Sequence, residues 1–186
     1  MEPDYITYQE FGRRFFEIAV TEDRVGAAVA TIAGDAFQLG PIAQGPGKIA
    51  KVTAKVRILE PRVSRQNGEA ITFSILIPLE IDMVVDLRID RPKFMVFGEI
   101  ALRATAKAAE PLLLILDVAK PRASDITIHV TSKSLRAEVV RIVGGVDSEI
   151  RRFIAAHVAG EINSPQSEQA KIIDVAERLD EAWTGV

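Results

Sequence analysis

Cysteine is absent from the 186 residues of this chain, and only two of its residues are histidines. Without cysteine the chain cannot form a disulfide, bind zinc through thiolates or use a cysteine nucleophile, and this composition fits a reducing compartment. The two histidines, His129 and His157, offer little for a metal site or a general base. We therefore expect no enzyme activity and no metal or other cofactor. A small enzyme built on one histidine is the alternative, and it would need two further polar groups beside that histidine.

Neither an excess of one charge nor a long hydrophobic run is present. The 23 basic and 26 acidic residues give a net charge of −3 and are interspersed, so a nucleic-acid partner is not expected. The longest apolar run, over 111–116, is far shorter than the roughly 20 residues that a membrane-spanning helix needs. Residues 1–4 are acidic and lack the features of a secretory signal. We expect a cytoplasmic location, no transmembrane segment and at most a peripheral contact with a membrane.

Two amphipathic helices are predicted near the start of the chain. Apolar residues recur every three or four positions over 8–18 and again over 25–32, and Thr21 is a suitable N-cap for the second helix. Five breakers then predict a loop over 40–47: Gly40, Pro41, Gly45, Pro46 and Gly47.

The strongest pattern in the sequence is an alternation of apolar and polar residues with a period of two over 48–116. This alternation predicts long strands with one apolar face. The Asn-Gly pair at 67–68 favours a tight turn, so the strand before it and the strand over 70–90 are expected to form an antiparallel hairpin. Within the second of these strands, Pro78 and the irregularity at 83–85 predict register shifts.

Further strands are predicted over 94–108, 112–118 and 125–131. In the first of them, the face that carries the apolar residues is expected to change near Gly98. Because the connections between strands are short, the strands should be antiparallel, and we expect a meander of about five of them.

The period becomes helical again from Ser134. The glycine pair at 144–145 predicts a hinge or a break, and Ser167 is a candidate cap for a last helix whose apolar stripe ends at Trp183. The chain has no recognisable interdomain linker, so residues 1–186 are expected to form a single domain.

A strongly curved sheet wrapped against a long apolar helix leaves an elongated groove that can accept an acyl chain. The strand that contains 112–116 is apolar on both faces, so it should be buried on both sides or should line an internal space. Residues at strand or helix spacing are the candidates for lining this groove: Phe73, Ile75, Ile77, Leu79, Leu112, Leu114, Ile150, Phe153 and Ile154.

The order of the elements, with two opening helices, long meandering strands and then the helix that contains 146–154, resembles the tubular lipid-binding (TULIP-like) superfamily. Members of that superfamily pack a highly curved antiparallel sheet around a long helix and hold lipid along the tube. The resemblance is one of architecture and covers nearly the whole chain. It implies an α+β fold in which a long, strongly curved antiparallel β-meander packs against N- and C-terminal helices.

The same resemblance implies a function without catalysis, in which the groove or tube binds a lipid or another long hydrophobic molecule. The bacterial members of that superfamily are typically exported or membrane-anchored, whereas this sequence has neither a signal nor an anchor. Binding of a hydrophobic ligand in the cytoplasm is therefore the expectation. The alternative is a structural or interaction module with a filled core, for which a homodimer is one form.

Overall fold

The computed structural model describes residues 3–34, 36–130 and 137–184. The helices are α1 (Tyr8–Ala19), α2 (Glu22–Ala33), α3 (Ala137–Ile162), α4 (Pro165–Lys171) and α5 (Val175–Thr184). The strands are β1 (Ala36–Gln44), β2 (Ala50–Ile58), β3 (Arg62–Asn67), β4 (Ile71–Asp86), β5 (Lys93–Ala109), β6 (Leu113–Val118), β7 (Ile126–His129) and β8 (Ile172–Asp174). Among the described residues, no helix combines the length and the hydrophobicity that crossing a bilayer requires.

The strands form one antiparallel, curled sheet in the shape of a half-barrel. Its strand order is β1-β2-β4-β5-β6-β8, with β3 also paired to β4 and β7 also paired to β5. The long hairpin of β4 and β5 is therefore central, and two shorter strands lie end to end along each of its outer sides. The prediction of an α+β fold with a curved antiparallel sheet packed against N- and C-terminal helices is confirmed. The expected count of about five strands is wrong, because the described residues form eight.

Helix α3 closes the open side of the half-barrel. It packs against β1 at one edge of the sheet and against β7 at another. The ring of Phe37 on β1 stacks on the His157 ring of α3, with centroids 3.8 Å apart. Six buried residues of α3 recur every three or four positions and form one stripe that faces the sheet: Val143, Val146, Ile150, Ile154, Val158 and Ile162.

The two opening helices are confirmed, as is the Thr21 cap of α2. The Thr21 hydroxyl accepts a hydrogen bond from the Arg24 backbone N–H at 3.3 Å. The side chain of Arg65 on β3 donates to the carbonyl oxygens of Glu17 and Val20 at 2.8 Å and 3.2 Å. These bonds tie the corner between the helices to the sheet and satisfy carbonyls at the end of α1.

Strand β4 follows the predicted hairpin turn at 67–68 and pairs with β3, as the Asn-Gly pair predicted. The expected register shifts within β4 are wrong, because its register with β5 is continuous from Thr72 to Val84. Pro78 is tolerated because it lies opposite the junction where β2 ends and β3 begins. At this junction the Pro78 carbonyl accepts the Leu59 N–H at 2.9 Å. Proline has no backbone N–H, but its absence on this side of β4 does not interrupt the hydrogen-bond ladder of either strand.

Strand β5 keeps one face inward along its length, so the expected change of parity near Gly98 is wrong. Val96, Gly98 and Ile100 are all buried on the core side. A Cβ atom at Gly98 would lie 2.9 Å from the carbonyl oxygen of Thr127 on β7. Gly98 therefore allows β7 to approach β5 closely, and it does not mark a change of face.

Strand β1 replaces most of the loop that was predicted over 40–47. Its register with β2 shifts between Leu39 and Ile42, which is a bulge at Gly40 and Pro41. Gly40 has φ of +97°, and a Cβ atom there would lie 2.5 Å from the carbonyl oxygen of Val52. Gly40 and Pro41 thus bend the edge strand β1 without ending it, because both residues lie in the bulge.

Helix α3 runs without interruption through Gly144 and Gly145, so the predicted break is wrong. A Cβ atom at Gly145 would lie 3.2 Å from the Oε1 atom of Gln44, which shows that the helix approaches β1 closely here. Packing of the apolar stripe against the sheet outweighs the low helix propensity of glycine.

The last helix of the prediction is instead two helices separated by β8, a three-residue strand that pairs with β6. The N-cap of α4 is Ser164, whose hydroxyl accepts the Ser167 N–H at 3.2 Å, so Ser167 is not the cap. The buried Lys171 ammonium donates to the Ile162 carbonyl at 2.8 Å and to Glu168 at 2.6 Å. It thereby satisfies the C-terminal end of α3.

Candidate ligand-binding site

The nine predicted lining residues divide into two groups. Seven of them lie in the interior between the sheet and α3, with 0–4 % of their surface exposed: Phe73, Ile75, Ile77, Leu79, Leu114, Ile150 and Ile154. Leu112 and Phe153 expose 49 % and 51 % and lie outside it. Along β6, Leu114 and Leu116 face the core, whereas Leu113 and Ile115 are half-buried. The apolar residues over 112–116 are therefore fully buried on one face only.

Side chains fill the interior around these seven residues. Six of the seven expose no more than 1 % of their surface. A neighbouring space large enough for a water molecule would leave accessible surface on the side chains that border it. The groove between the sheet and α3 is therefore closed at these positions, and an acyl chain could occupy it only if α3 moved away from the sheet.

An open cleft of about 440 Å³ lies at the end of the core where β2 begins and β4 ends. Leu87 follows Val85, the last fully buried residue of β4, and Ala50 precedes Val52 on the same face of β2. The cleft thus continues the concave face of the sheet beyond the core. The described residues that line it come from β1, the segment between β1 and β2, the end of β4 and α3: Gln44, Gly45, Ile49, Ala50, Leu87, Arg141 and Ile142.

The turn between β4 and β5 forms one wall of this cleft. The Leu87 N–H donates to the Asp90 carbonyl at 2.9 Å and closes the turn. The carboxylate of Asp86 accepts the Arg88 backbone N–H at 3.1 Å and pairs with the Arg91 guanidinium at 2.8 Å. The hydrogen bond from the Arg88 N–H is the main reason that the pKa of Asp86 lies below its usual value, and the positive charges of Arg91 and Lys51 add to it. Asp86 is therefore ionised at neutral pH and holds the turn in shape.

Two basic residues at this end of the sheet have left-handed backbone conformations. Lys48, just before β2, has φ of +52°, and Arg88, in the turn after β4, has φ of +70°. These are the non-glycine residues with positive φ among those that the structure describes. Ile89, next to Arg88, exposes 99 % of its surface, and Ile49, next to Lys48, exposes 50 %. The end of the sheet next to the cleft therefore carries exposed aliphatic and basic side chains together.

His157 and Glu80 are of the residue types used in catalysis, but they do not lie together. His157 stacks on Phe37, and Glu80 pairs with Arg57 at 2.7 Å on the outer face of the sheet. Within 3–34, 36–130 and 137–184, no group of three or more potential metal ligands is present. The apolar cleft is accordingly the strongest candidate site in the described part of the chain.

The sequence pattern did not predict the residues of this cleft, because it indicated a loop over 40–47 and the continuation of a strand after Asp86. Ile89 was the available signal, because an isoleucine between arginine and aspartate in a turn has no neighbour to pack against. The left-handed conformations of Lys48 and Arg88 have no signature in the sequence.

No family model matches the chain, and no curated protein is significantly similar to it.

Proposed function

We propose that this chain binds a lipid or another long hydrophobic molecule without catalysing a reaction, and that the ligand enters through the cleft beside Ile49 and Leu87. The observation that carries the proposal is the position of this cleft at the open end of an apolar core. A ligand tail that passes the cleft meets apolar side chains of the core. Its methylenes gain about 0.8 kcal/mol each on burial. The tubular lipid-binding superfamily is the architectural parallel, and the cytoplasm is the proposed compartment.

The cleft has the size and composition of a small-molecule site. Its volume of about 440 Å³ lies within the roughly 300–1,000 Å³ typical of such sites. Apolar walls come from Ile49, Ala50, Leu87 and Ile142. Arg141 supplies one positive charge at the rim, which suits a ligand with a carboxylate or phosphate head group.

The filled interior requires a moving part, and the glycine pair of α3 supplies it. A Cβ atom at Gly144 would meet no other atom within 4 Å, so packing does not require glycine there. Glycine in a helix interior costs about 1 kcal/mol relative to alanine. The pair begins two residues after the cleft residue Ile142. Bending of α3 at this pair would extend the cleft into the core.

The test is uptake of a fluorescently labelled long-chain fatty acid by the purified chain. Ile49→Glu places a charge on the half-exposed wall of the cleft and should weaken binding by about tenfold or more, because a ligand that covers the carboxylate must desolvate it. Gly144→Ala should slow uptake, because it stiffens α3, and should leave the fold intact.

The matched control is Ile18→Glu, which introduces the same charge at a residue of α1 that exposes 73 % of its surface. Helix α1 lies beside the 67–71 segment, which is at the opposite end of β4 from the cleft, and β4 is roughly 50 Å long at about 3.3 Å per residue. Equal uptake by Ile49→Glu and Ile18→Glu would remove the cleft from the proposal.

The second candidate is an interaction module with a permanently closed core. It is favoured by the complete burial of the interior residues and by the apolar stripe of α1, on which Tyr8 and Phe11 expose 98 % and 60 %. Such a stripe is a surface that a second copy of the chain could cover. This candidate predicts no uptake of fatty acid and a dimer in sedimentation equilibrium.

A further inference from the structure

We propose that the end of the sheet around the cleft, formed by 45–51 and 86–93, docks onto the surface of a membrane that contains anionic lipid. These two segments are named the basic tip here. They adjoin each other because Lys51 of β2 pairs with Asp86 of β4 in the sheet register. The proposal concerns a surface, so it holds whether or not the core accepts a ligand.

The basic tip differs in charge from the rest of the chain. It contains five basic residues, Lys48, Lys51, Arg88, Arg91 and Lys93, and two acidic residues, Asp86 and Asp90. Its net charge is therefore +3, whereas the whole chain carries −3. All five basic side chains are exposed. A concentrated positive charge on an otherwise acidic protein is complementary to anionic head groups and orients the tip toward them.

The basic tip also carries exposed apolar side chains among its basic residues. Ile89 lies in the turn after β4 and exposes 99 % of its surface, and Ile49 exposes 50 % on the neighbouring segment. At a membrane the isoleucines can enter the boundary between head groups and acyl chains while the cations remain among the phosphates.

The backbone gives a second and independent indication. Lys48 and Arg88 both occupy left-handed conformations that glycine or asparagine adopts with less strain. Glycine would therefore be the better choice for folding at both positions. Basic side chains at strained positions indicate that charge at these two points is used for something other than stability.

The experiment is co-sedimentation of the full chain, without added ligand, with vesicles of phosphatidylcholine alone or of phosphatidylcholine mixed with phosphatidylglycerol. We expect binding to the mixed vesicles and little to the neutral ones. Lys48→Gly and Arg88→Gly should each weaken binding about fivefold, as removal of one juxtamembrane cation does. Their melting temperatures should be unchanged or raised, because glycine relieves the left-handed strain. Ile89→Ser should weaken binding about tenfold by removing the inserted side chain.

Two control variants isolate the tip from the rest of the surface. Ile18→Ser removes an exposed isoleucine from α1, and Lys120→Gly removes an exposed lysine from the loop after β6. Both should bind the mixed vesicles as well as the unchanged chain does. Equal binding to both kinds of vesicle, or none, would overturn the proposal. Full binding of the mixed vesicles by both Arg88→Gly and Ile89→Ser would also overturn it, because neither the charge nor the exposed side chain of the basic tip would then contribute to the contact. Fatty-acid uptake that persists in Arg88→Gly would separate this surface from the ligand site.

Discussion

Ile150→Ala lowers the free energy of unfolding by about 3 kcal/mol, as expected for a fully buried isoleucine. Ile150 exposes 1 % of its surface and lies in the centre of the α3 stripe. Truncation removes buried methyl and methylene groups and leaves a cavity that the sheet cannot fill by collapsing. Urea denaturation should show the loss as a lower midpoint, and the melting temperature should fall by roughly 6–12 °C.

Phe153→Ala is the control on the same helix. Phenylalanine is larger than isoleucine, but Phe153 exposes 51 % of its surface. We expect a loss of about 1 kcal/mol or less, partly offset by the higher helix propensity of alanine. If both substitutions had the same effect, Phe153 would belong to the core, and the division of the predicted lining residues into interior and surface would be incorrect.

Gly40→Ala should destabilise the chain by about 3 kcal/mol or more. The residue has φ of +97°, where alanine is strained, and its Cβ atom would lie 2.5 Å from the Val52 carbonyl oxygen. The two atoms cannot separate easily, because the carbonyl oxygen belongs to the backbone of β2 and the Cβ atom would be bonded directly to the backbone of β1. Release of β1 would also remove the Phe37 contact to α3. Thermal unfolding followed by circular dichroism measures the effect.

The same substitution should have the opposite sign in α1. A Cβ atom at Gly12 would meet no other atom within 4 Å, and the residue has helical neighbours on both sides. Gly12→Ala should therefore stabilise the chain by about 1 kcal/mol. A destabilised Gly12→Ala, or a neutral Gly40→Ala, would contradict the described course of β1 and α1.

The sequence predicted the central sheet well because β4 alternates over its full length. Every second residue from Phe73 to Val85 is buried, and the Asn-Gly pair at 67–68 sets the hairpin register. Features that depend on contacts between distant segments were missed. The close approach of β7 determines the role of Gly98, and the gap between β2 and β3 makes Pro78 acceptable. Neither relation can be read along one strand.

The candidate site was harder to predict than the fold. Alternation identifies residues that face inward, but it cannot distinguish a filled interior from a hollow one, and the buried lining residues prove to be closely packed. The cleft is formed where four elements end near one another, and Ile49, Leu87 and Ile142 become neighbours only in the folded chain. The short β8 was missed because its residues, Ile172 and Ile173, also suit the apolar stripe of a helix.

Native mass spectrometry of the purified chain, paired with denaturing mass spectrometry of the same sample, tests ligand binding most directly. We predict one lipid or fatty acid per chain, either carried through purification or taken up from added fatty acids and phospholipids, and released on denaturation. A clean mass of the chain alone, with no uptake of any added lipid, would contradict the proposal and leave the closed interaction module as the function of this fold.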